Sequence, residues 1–256
     1  YNAVTLFAPG FTAAYAILCA MLVWGYLYNS RSIGLFHALP VDRTCLFVTN
    51  TLSGLAMLLI PYAVTGFLGC LLAVCWGFFH LTAVLNTILA VIFLSVTFFG
   101  MATLCAMLTG NIFALPALYL LLNFLSPLLE SLIFNIAQQF LVGINSEAFR
   151  FNVLSPIVQI YSRFTARYTR FTGEGDPTVS LHGLWVPALY ALAGLGMLAL
   201  AWFLYRKRHS ERAGDVVAFR WLRPVFRYGV ALLGGLTIGR LLYFFLWENL
   251  FQKGSY

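Results

Sequence analysis

Charged side chains are scarce in this chain. Asp, Glu, Lys and Arg together make up 9% of its 256 residues, where a soluble domain carries roughly 25%. That shortage excludes water as the main solvent of the folded chain. Hydrophobic residues make up 61% of the sequence and the mean hydropathy is +0.88. In lipid every backbone N–H and C=O must be paired inside the protein, which leaves helices or a closed barrel. The alternating segments of about ten residues that a barrel needs are missing, whereas the apolar runs are long and continuous. The expected fold is an all-α integral membrane protein, a polytopic bundle of about six transmembrane helices in the cell membrane.

Other absences narrow the chemistry. The lysines are Lys207 and Lys253, and no GxxxxGK[ST] motif occurs, so a nucleotide-binding loop is not signalled. The acidic residues are too thinly spread for a paired-carboxylate protease. His37, His80, His182 and His209 lie far apart, HExxH is missing, and nothing fixes a Ser/His/Asp set. Cys19, Cys45, Cys70, Cys75 and Cys105 all sit within or at the ends of apolar runs. Without a CxxC or a Cys/His cluster they signal neither a metal site nor a disulfide framework, and they read as small buried hydrophobes. No catalytic or metal-ligating residue is assigned. No charged leader precedes the first apolar run, and neither an internal repeat nor a soluble domain is visible. The net charge of +7 is expected to serve cytoplasmic loops facing anionic lipid, with no nucleic-acid role.

What the sequence does contain is six apolar spans, near residues 8–28, 45–67, 81–108, 112–141, 184–205 and 228–247. Each reaches the roughly 20 residues needed to cross about 30 Å of hydrocarbon. The second, third and fourth are longer than needed, so tilt and kinks are expected, with Pro61, Pro116 and Pro127 as kink points. Residues 69–79 are too short for a span of their own and are expected either to extend the second span or to lie at the interface. Orientation follows Lys and Arg. Segment 29–44 holds two basic residues and segment 206–227 holds seven, against four in 142–183 and one in the tail. The first two segments are therefore expected inside, and 142–183 outside as a cap of one or two short helices.

Three polar segments invite a functional reading. In 29–44, Ile33, Phe36 and Leu39 recur at helical spacing, flanked by Arg31 and Arg43, and Pro40 stops the helix before Asp42 or Thr44 can cap the next. This pattern suits docking to a soluble partner, or an ordinary interfacial helix with snorkelling arginines. In 206–227, Arg206, Lys207, Arg208, Arg212, Arg220, Arg223 and Arg227 interleave with Trp221, Val225 and Phe226. An amphipathic helix on the inner leaflet or a second partner contact would both fit. In 142–183, Arg163, Arg167 and Arg170 share a helix face beside Phe164, Tyr168 and Phe171, a strip suited to lipid headgroups or to an anionic or peptidic substrate.

Within the spans, Glu130 and Arg240 are the ionisable residues that must face protein or water, and a pair between them is one expectation. Asn123, Asn135, Gln138 and Gln139 add polarity to the fourth span, either lining a substrate path or bonding between helices. Gly194 and Gly196, and the series Ala231, Gly235 and Gly239, allow close approach of helices.

The segment Arg31-Ser-Ile-Gly-Leu-Phe-His-Ala-Leu-Pro-Val-Asp-Arg43, set between the first two spans, resembles the intracellular coupling segment of ABC-2-type transporter permeases. The basic stretch from Tyr205 to Gly214 and the Leu154-Ser-Pro-Ile157 piece are similar to those of permeases from Gram-positive bacteria. The resemblance covers the layout of most of the chain but only these short pieces in sequence. It implies two cytoplasmic ATPase subunits and a second permease subunit, identical or homologous, as partners. ATP and Mg would be held by the ATPase and no cofactor by this chain. The implied coupling contacts are Arg31, Ile33, Phe36, His37, Leu39, Pro40 and Arg43. The implied function is ATP-driven export of an amphipathic, lipidic or peptide substrate by a non-enzymatic transport subunit. Such a permease starts inside the cell, so a further span is expected before Tyr1. The alternatives are a gradient-driven secondary transporter, for which paired mid-membrane charges and an inverted repeat are missing, and a non-transporting scaffold or membrane enzyme.

Overall fold

The structure, a computed structural model, describes residues 2–29, 41–75, 81–140, 155–164 and 184–207, with isolated helical positions between Pro224 and Leu242. The described residues are all-helical. Helix α1 (Asn2–Trp24) ends in a 3-10 turn (Gly25–Tyr28), followed by α2 (Arg43–Cys75), α3 (Leu81–Leu108), α4 (Ala114–Phe140), the short α5 (Pro156–Phe164) and α6 (Trp185–Lys207). Five of these are long and apolar enough to cross a membrane. The sixth expected span, 228–247, falls largely outside the described residues. Helix α2 is unbroken for 33 residues, about 50 Å at 1.5 Å per residue. Through Cys75, the 69–79 stretch therefore extends the second span.

Local chemistry sets several helix starts. The Asn111 side chain accepts the Phe113 N–H at 3.0 Å, and its carbonyl accepts the Ala114 N–H at 3.1 Å. This turn begins α4 at Ala114. Pro116 is then the third residue of α4, where a backbone N–H has no helical acceptor to lose. The expectation of a kink at Pro116 is thereby corrected. Pro61 and Pro127 are different, because both lie inside their helices.

Helix α3 is the hub. It packs against α1, α2, α4 and α6, and from Leu94 to Met107 every residue except Val96 is buried. Small side chains make this possible. A Cβ added to Gly100 would sit 2.5 Å from the Gly194 carbonyl oxygen, and one added to Gly194 would sit 2.8 Å from the Thr97 Cα. The backbones of α3 and α6 therefore touch. Gly196 has open space around it, so only the first glycine of that expected pair makes the contact. The outer surface is apolar: Ile60, Val64, Phe67 and Leu71 on α2 and Leu189, Leu192 and Leu195 on α6 are exposed. A surface of this kind suits hydrocarbon.

Candidate functional site

The ends of α1 and α6 meet the start of α2 in an aromatic cluster. Trp24 lies 5.3 Å from Phe47 and 5.9 Å from Tyr205, ring centre to ring centre, and Phe47 lies 5.6 Å from Tyr205. Trp24, Phe47 and Tyr205 are buried. Hydrogen bonds fasten the rim. The Tyr26 and Tyr205 hydroxyls share one at 3.1 Å, and Asn50 Nδ2 donates to the Tyr26 oxygen at 3.2 Å. The last turn of α3 joins through Tyr28, whose hydroxyl donates to the Ala106 carbonyl at 3.3 Å. That carbonyl belongs to the final turn of α3, which has outrun its own donors. Segment 29–44 leaves from α1 and enters α2 at this clamped end.

Cations gather at the same end. Arg43 opens α2 and is exposed, and the Asp42 carbonyl accepts the Leu46 N–H at 3.0 Å to start the helix. Arg206 and Lys207 close α6, exposed, with the guanidinium 5.2 Å from the Trp202 ring centre and the ammonium 4.2 Å from that of Phe203. Arg206 and Lys207 complement the negative end of the α6 dipole. Arg227 is exposed as well. Arg31, Ile33, Phe36, His37, Leu39 and Pro40 lie outside the described residues, as do Arg208, Arg212, Arg220 and Arg223.

A second polar region lies within the bundle. An internal proline removes the N–H that would bond the carbonyl four residues earlier. Pro127 thereby frees the Asn123 carbonyl, and the Ser155 hydroxyl donates to it at 2.5 Å. Pro61 frees the Met57 carbonyl, and the Tyr15 hydroxyl donates to that one at 3.1 Å. Both proline gaps are closed by a hydroxyl from another element, which is how lipid-embedded helices tolerate proline. Ser155 and Ile160 are fully buried and Pro156 is buried, with α5 packed on α1, α4 and α6. The start of α5 therefore enters the bundle, where the sequence had led us to expect a helix lying over it.

Asn123 anchors this region. It is fully buried, and its amide donates to the Tyr119 carbonyl at 3.0 Å and contacts the Met101 sulfur at 3.2 Å. Tyr119 in turn donates to the Ala13 carbonyl at 3.2 Å, so α1, α3, α4 and α5 all meet here. Among the described residues the Asn123 side-chain oxygen is buried without a partner, and so is one carboxylate oxygen of the half-buried Glu130. Arg240 lies outside the described residues, which leaves the expected Glu130–Arg240 pair untested. Asn135 and Gln138 fall in α4, but their side chains are outside the description. Arg163 falls in α5 in the same way, and Arg167 and Arg170 lie beyond it. Tyr15 and Tyr119 escaped the sequence reading, and Ser155 entered it only within the Leu154–Ile157 piece. For Tyr15 and Ser155 the signal was an internal proline, Pro61 and Pro127 respectively, each of which leaves a carbonyl in need of a donor; Tyr119, which bonds the Ala13 carbonyl, had no such signal.

Among the described residues no three His, Cys, Asp or Glu side chains converge. No protein-family model, curated protein or solved structure matches the chain.

Proposed function

We propose that the chain is the membrane-spanning permease subunit of an ATP-driven transporter, coupled through segment 29–44 to a separate ATPase. The observation that supports this most is the clamp of Trp24, Tyr26, Phe47, Asn50 and Tyr205. A push on a segment held at both ends by such a clamp is delivered to α1, α2 and α6 together. It is not absorbed by one flexible helix end. Interiors packed at this density transmit displacement and do not deform continuously. The proline gaps in α2 and α4 supply points where the spans can bend in response. ATP binding in the partner would then shift the bundle between two states that differ in access.

Phe36 and Leu39 are the proposed apolar anchors for the ATPase, with Arg31 and Arg43 beside them. Phe36→Asp or Leu39→Asp places a charge in that contact. Each substitution is expected to abolish co-purification of an ATPase subunit, while the variant keeps the wild-type elution volume and thermal unfolding midpoint. Retention of the ATPase by both variants would remove the coupling role.

A further inference from the structure

We infer that α2 is built as two arms joined at Pro61: a fixed arm, residues 43–62, gripped by the bundle, and a free arm, residues 63–75, that swings sideways and is latched by Tyr15 and Thr12 of α1. The inference concerns the chain alone and goes beyond the permease reading, which needs a moving part in the spans without naming one.

The fixed arm is held along its whole length. Phe47 packs on Trp24 and Tyr205, and Asn50 donates to the Tyr26 oxygen. Gly54 is buried, and a Cβ there would run into the Phe99 ring of α3. Leu58 is fully buried. The last hold is Tyr62, whose hydroxyl shares a hydrogen bond with that of Thr12 at 2.8 Å. Beyond it the holds stop. From Ala63 to Cys75 every described residue is exposed except Cys70, which is half-buried. Open space surrounds the Cβ positions of both Gly66 and Gly69.

Helix α3 leaves the core at the same level. It returns antiparallel to α2 through residues 76–80 and packs against it. Eight residues from the Gly54–Phe99 contact lie Tyr62 on α2 and Val91 on α3, about 12 Å away along each helix. From Val84 to Phe93 the one buried residue is Ala90, whereas burial is nearly continuous from Leu94 to Met107. The rest of the bundle stays closed there, with Thr12 and Ala13 on α1 and Val186 and Pro187 on α6 buried. The opening belongs to the α2–α3 hairpin and is not a general loosening of that end.

The boundary between the arms has the chemistry of a hinge. Pro61 removes one helical hydrogen bond, and its ring crowds the preceding turn. Thr65 divides its hydroxyl between the Pro61 carbonyl at 2.8 Å and the Tyr62 carbonyl at 3.2 Å, a back-bond of the kind that bends helices. Tyr15 bridges the gap by donating to the freed Met57 carbonyl. Tyr15 and Thr12 stand three residues apart on one face of α1, so α1 holds both sides of the hinge through two neutral hydrogen bonds. The free arm is about 20 Å long at 1.5 Å per residue. A change of about 30° at Pro61 carries its tip about 10 Å. Segment 29–44 enters α2 at the opposite end, so a push there reaches the hinge through the rigid fixed arm.

The test uses the purified full chain in phosphatidylcholine nanodiscs, one chain per disc and no ATPase. Distances between nitroxide labels are read by double electron–electron resonance. Cys45→Ser and Cys70→Ala leave Cys75 as the exposed thiol on the free arm, and Leu189→Cys, at an exposed position of α6, supplies its mate. The reference pair joins Cys45 to Leu200→Cys, also exposed, with Cys70→Ala and Cys75→Ser. Cys19 and Cys105 are buried in both. The reference pair is expected to give one narrow distance, and the arm pair a distribution broader by about 10 Å. Pro61→Ala restores a helical bond to the Met57 carbonyl and is expected to narrow the arm pair to the reference width. Tyr15→Phe is expected to broaden the arm pair further, and to leave it unchanged in the Pro61→Ala background. An arm pair as narrow as the reference pair overturns the hinge. So does an arm pair whose breadth survives Pro61→Ala, because the motion is then fraying near Cys75. If Pro61→Ala disturbs the reference pair, Tyr15→Phe decides, and an arm pair that it leaves unchanged overturns the latch. Since no ATPase takes part, failure here leaves the coupling reading standing, and loss of ATPase co-purification leaves the hinge standing.

Discussion

At the scale of single residues, the fold depends on contacts between backbone atoms that side chains would block. Gly100 and Gly194 are the sharpest case, since a methyl group at either meets backbone and not the yielding tip of a side chain. Gly100→Ala is therefore expected to destabilise the bundle by about 1–3 kcal/mol through overpacking, read as a lower thermal unfolding midpoint in detergent. Gly196→Ala, with open space around it, is the matched control and is expected to leave the midpoint unchanged. The Ser155 hydroxyl makes a different kind of point contact. Ser155→Ala leaves the Asn123 carbonyl bare and is expected to cost about 1–2 kcal/mol. Pro127→Ala restores an N–H four residues beyond that carbonyl, so adding Ser155→Ala in that background is expected to change stability little. A double-mutant cycle measures the difference. Equal costs for Ser155→Ala in both backgrounds would show that the proline and the serine act independently. Among the residues inside the spans, hydroxyls mostly serve their own helix: Thr49, Thr51, Thr65 and Thr97 each donate to the carbonyl four residues back. Tyr15 and Ser155 differ in reaching across elements to a carbonyl that an internal proline has freed.

At the scale of elements, the aromatic clamp joins three helix ends that are remote in sequence. Trp24 is its centre and is fully buried. Truncating a side chain of that size typically costs about 3–5 kcal/mol, and the damage should be local before it is global. Trp24→Ala is therefore expected to speed backbone hydrogen exchange at residues 43–51 and 202–207 together. Residues 114–121, which belong to α4 and not to the three helices of the clamp, are expected to hold their protection. Exchange that rises at 43–51 alone would mean that α6 is held by α3 and not by the clamp. The expectation for this region drawn from the sequence concerned segment 29–44 alone. Periodicity showed an amphipathic piece between two spans, but it has no means of showing that α6 ends beside them. Tyr26, Asn50 and Tyr205 are too far apart in the chain for any spacing rule to link them.

For the whole molecule, orientation is the decisive property. Helix α2 carries Cys45 near its start and Cys75 at its end, both exposed. Thirty residues of helix separate them by about 45 Å, more than the roughly 30 Å hydrocarbon core, so an upright, centred α2 would carry the two thiols beyond the apolar layer at opposite faces. With 29–44 inside the cell, a membrane-impermeant maleimide applied to intact cells is expected to modify Cys75 and spare Cys45. Permeabilised cells should show both thiols modified. Single-cysteine versions of the chain, read by mass shift, keep the two signals apart. Reaction of Cys45 in intact cells would invert the topology and with it the coupling proposal.

The sequence by itself determined the secondary structure, and its apolar runs set the helices that are long enough to cross a membrane. Long apolar runs with few charges have one economical solution in hydrocarbon, a helix that satisfies its own backbone, and the helices found lie close to the runs that define them. Residue order alone also marked Glu130 and Asn123 as out of place in a span. Tertiary structure decided which faces pack. In a membrane helix the buried face and the lipid face are both apolar, so the contrast that reveals a core in water is missing. It therefore took the assembled bundle to show that α3 is the hub, that Gly194 and not Gly196 makes the close approach, and that α5 enters the interior. The same bundle determined which distant hydroxyl closes the gaps at Pro61 and Pro127, because a lost backbone hydrogen bond states only that a donor is needed and leaves its source to the fold.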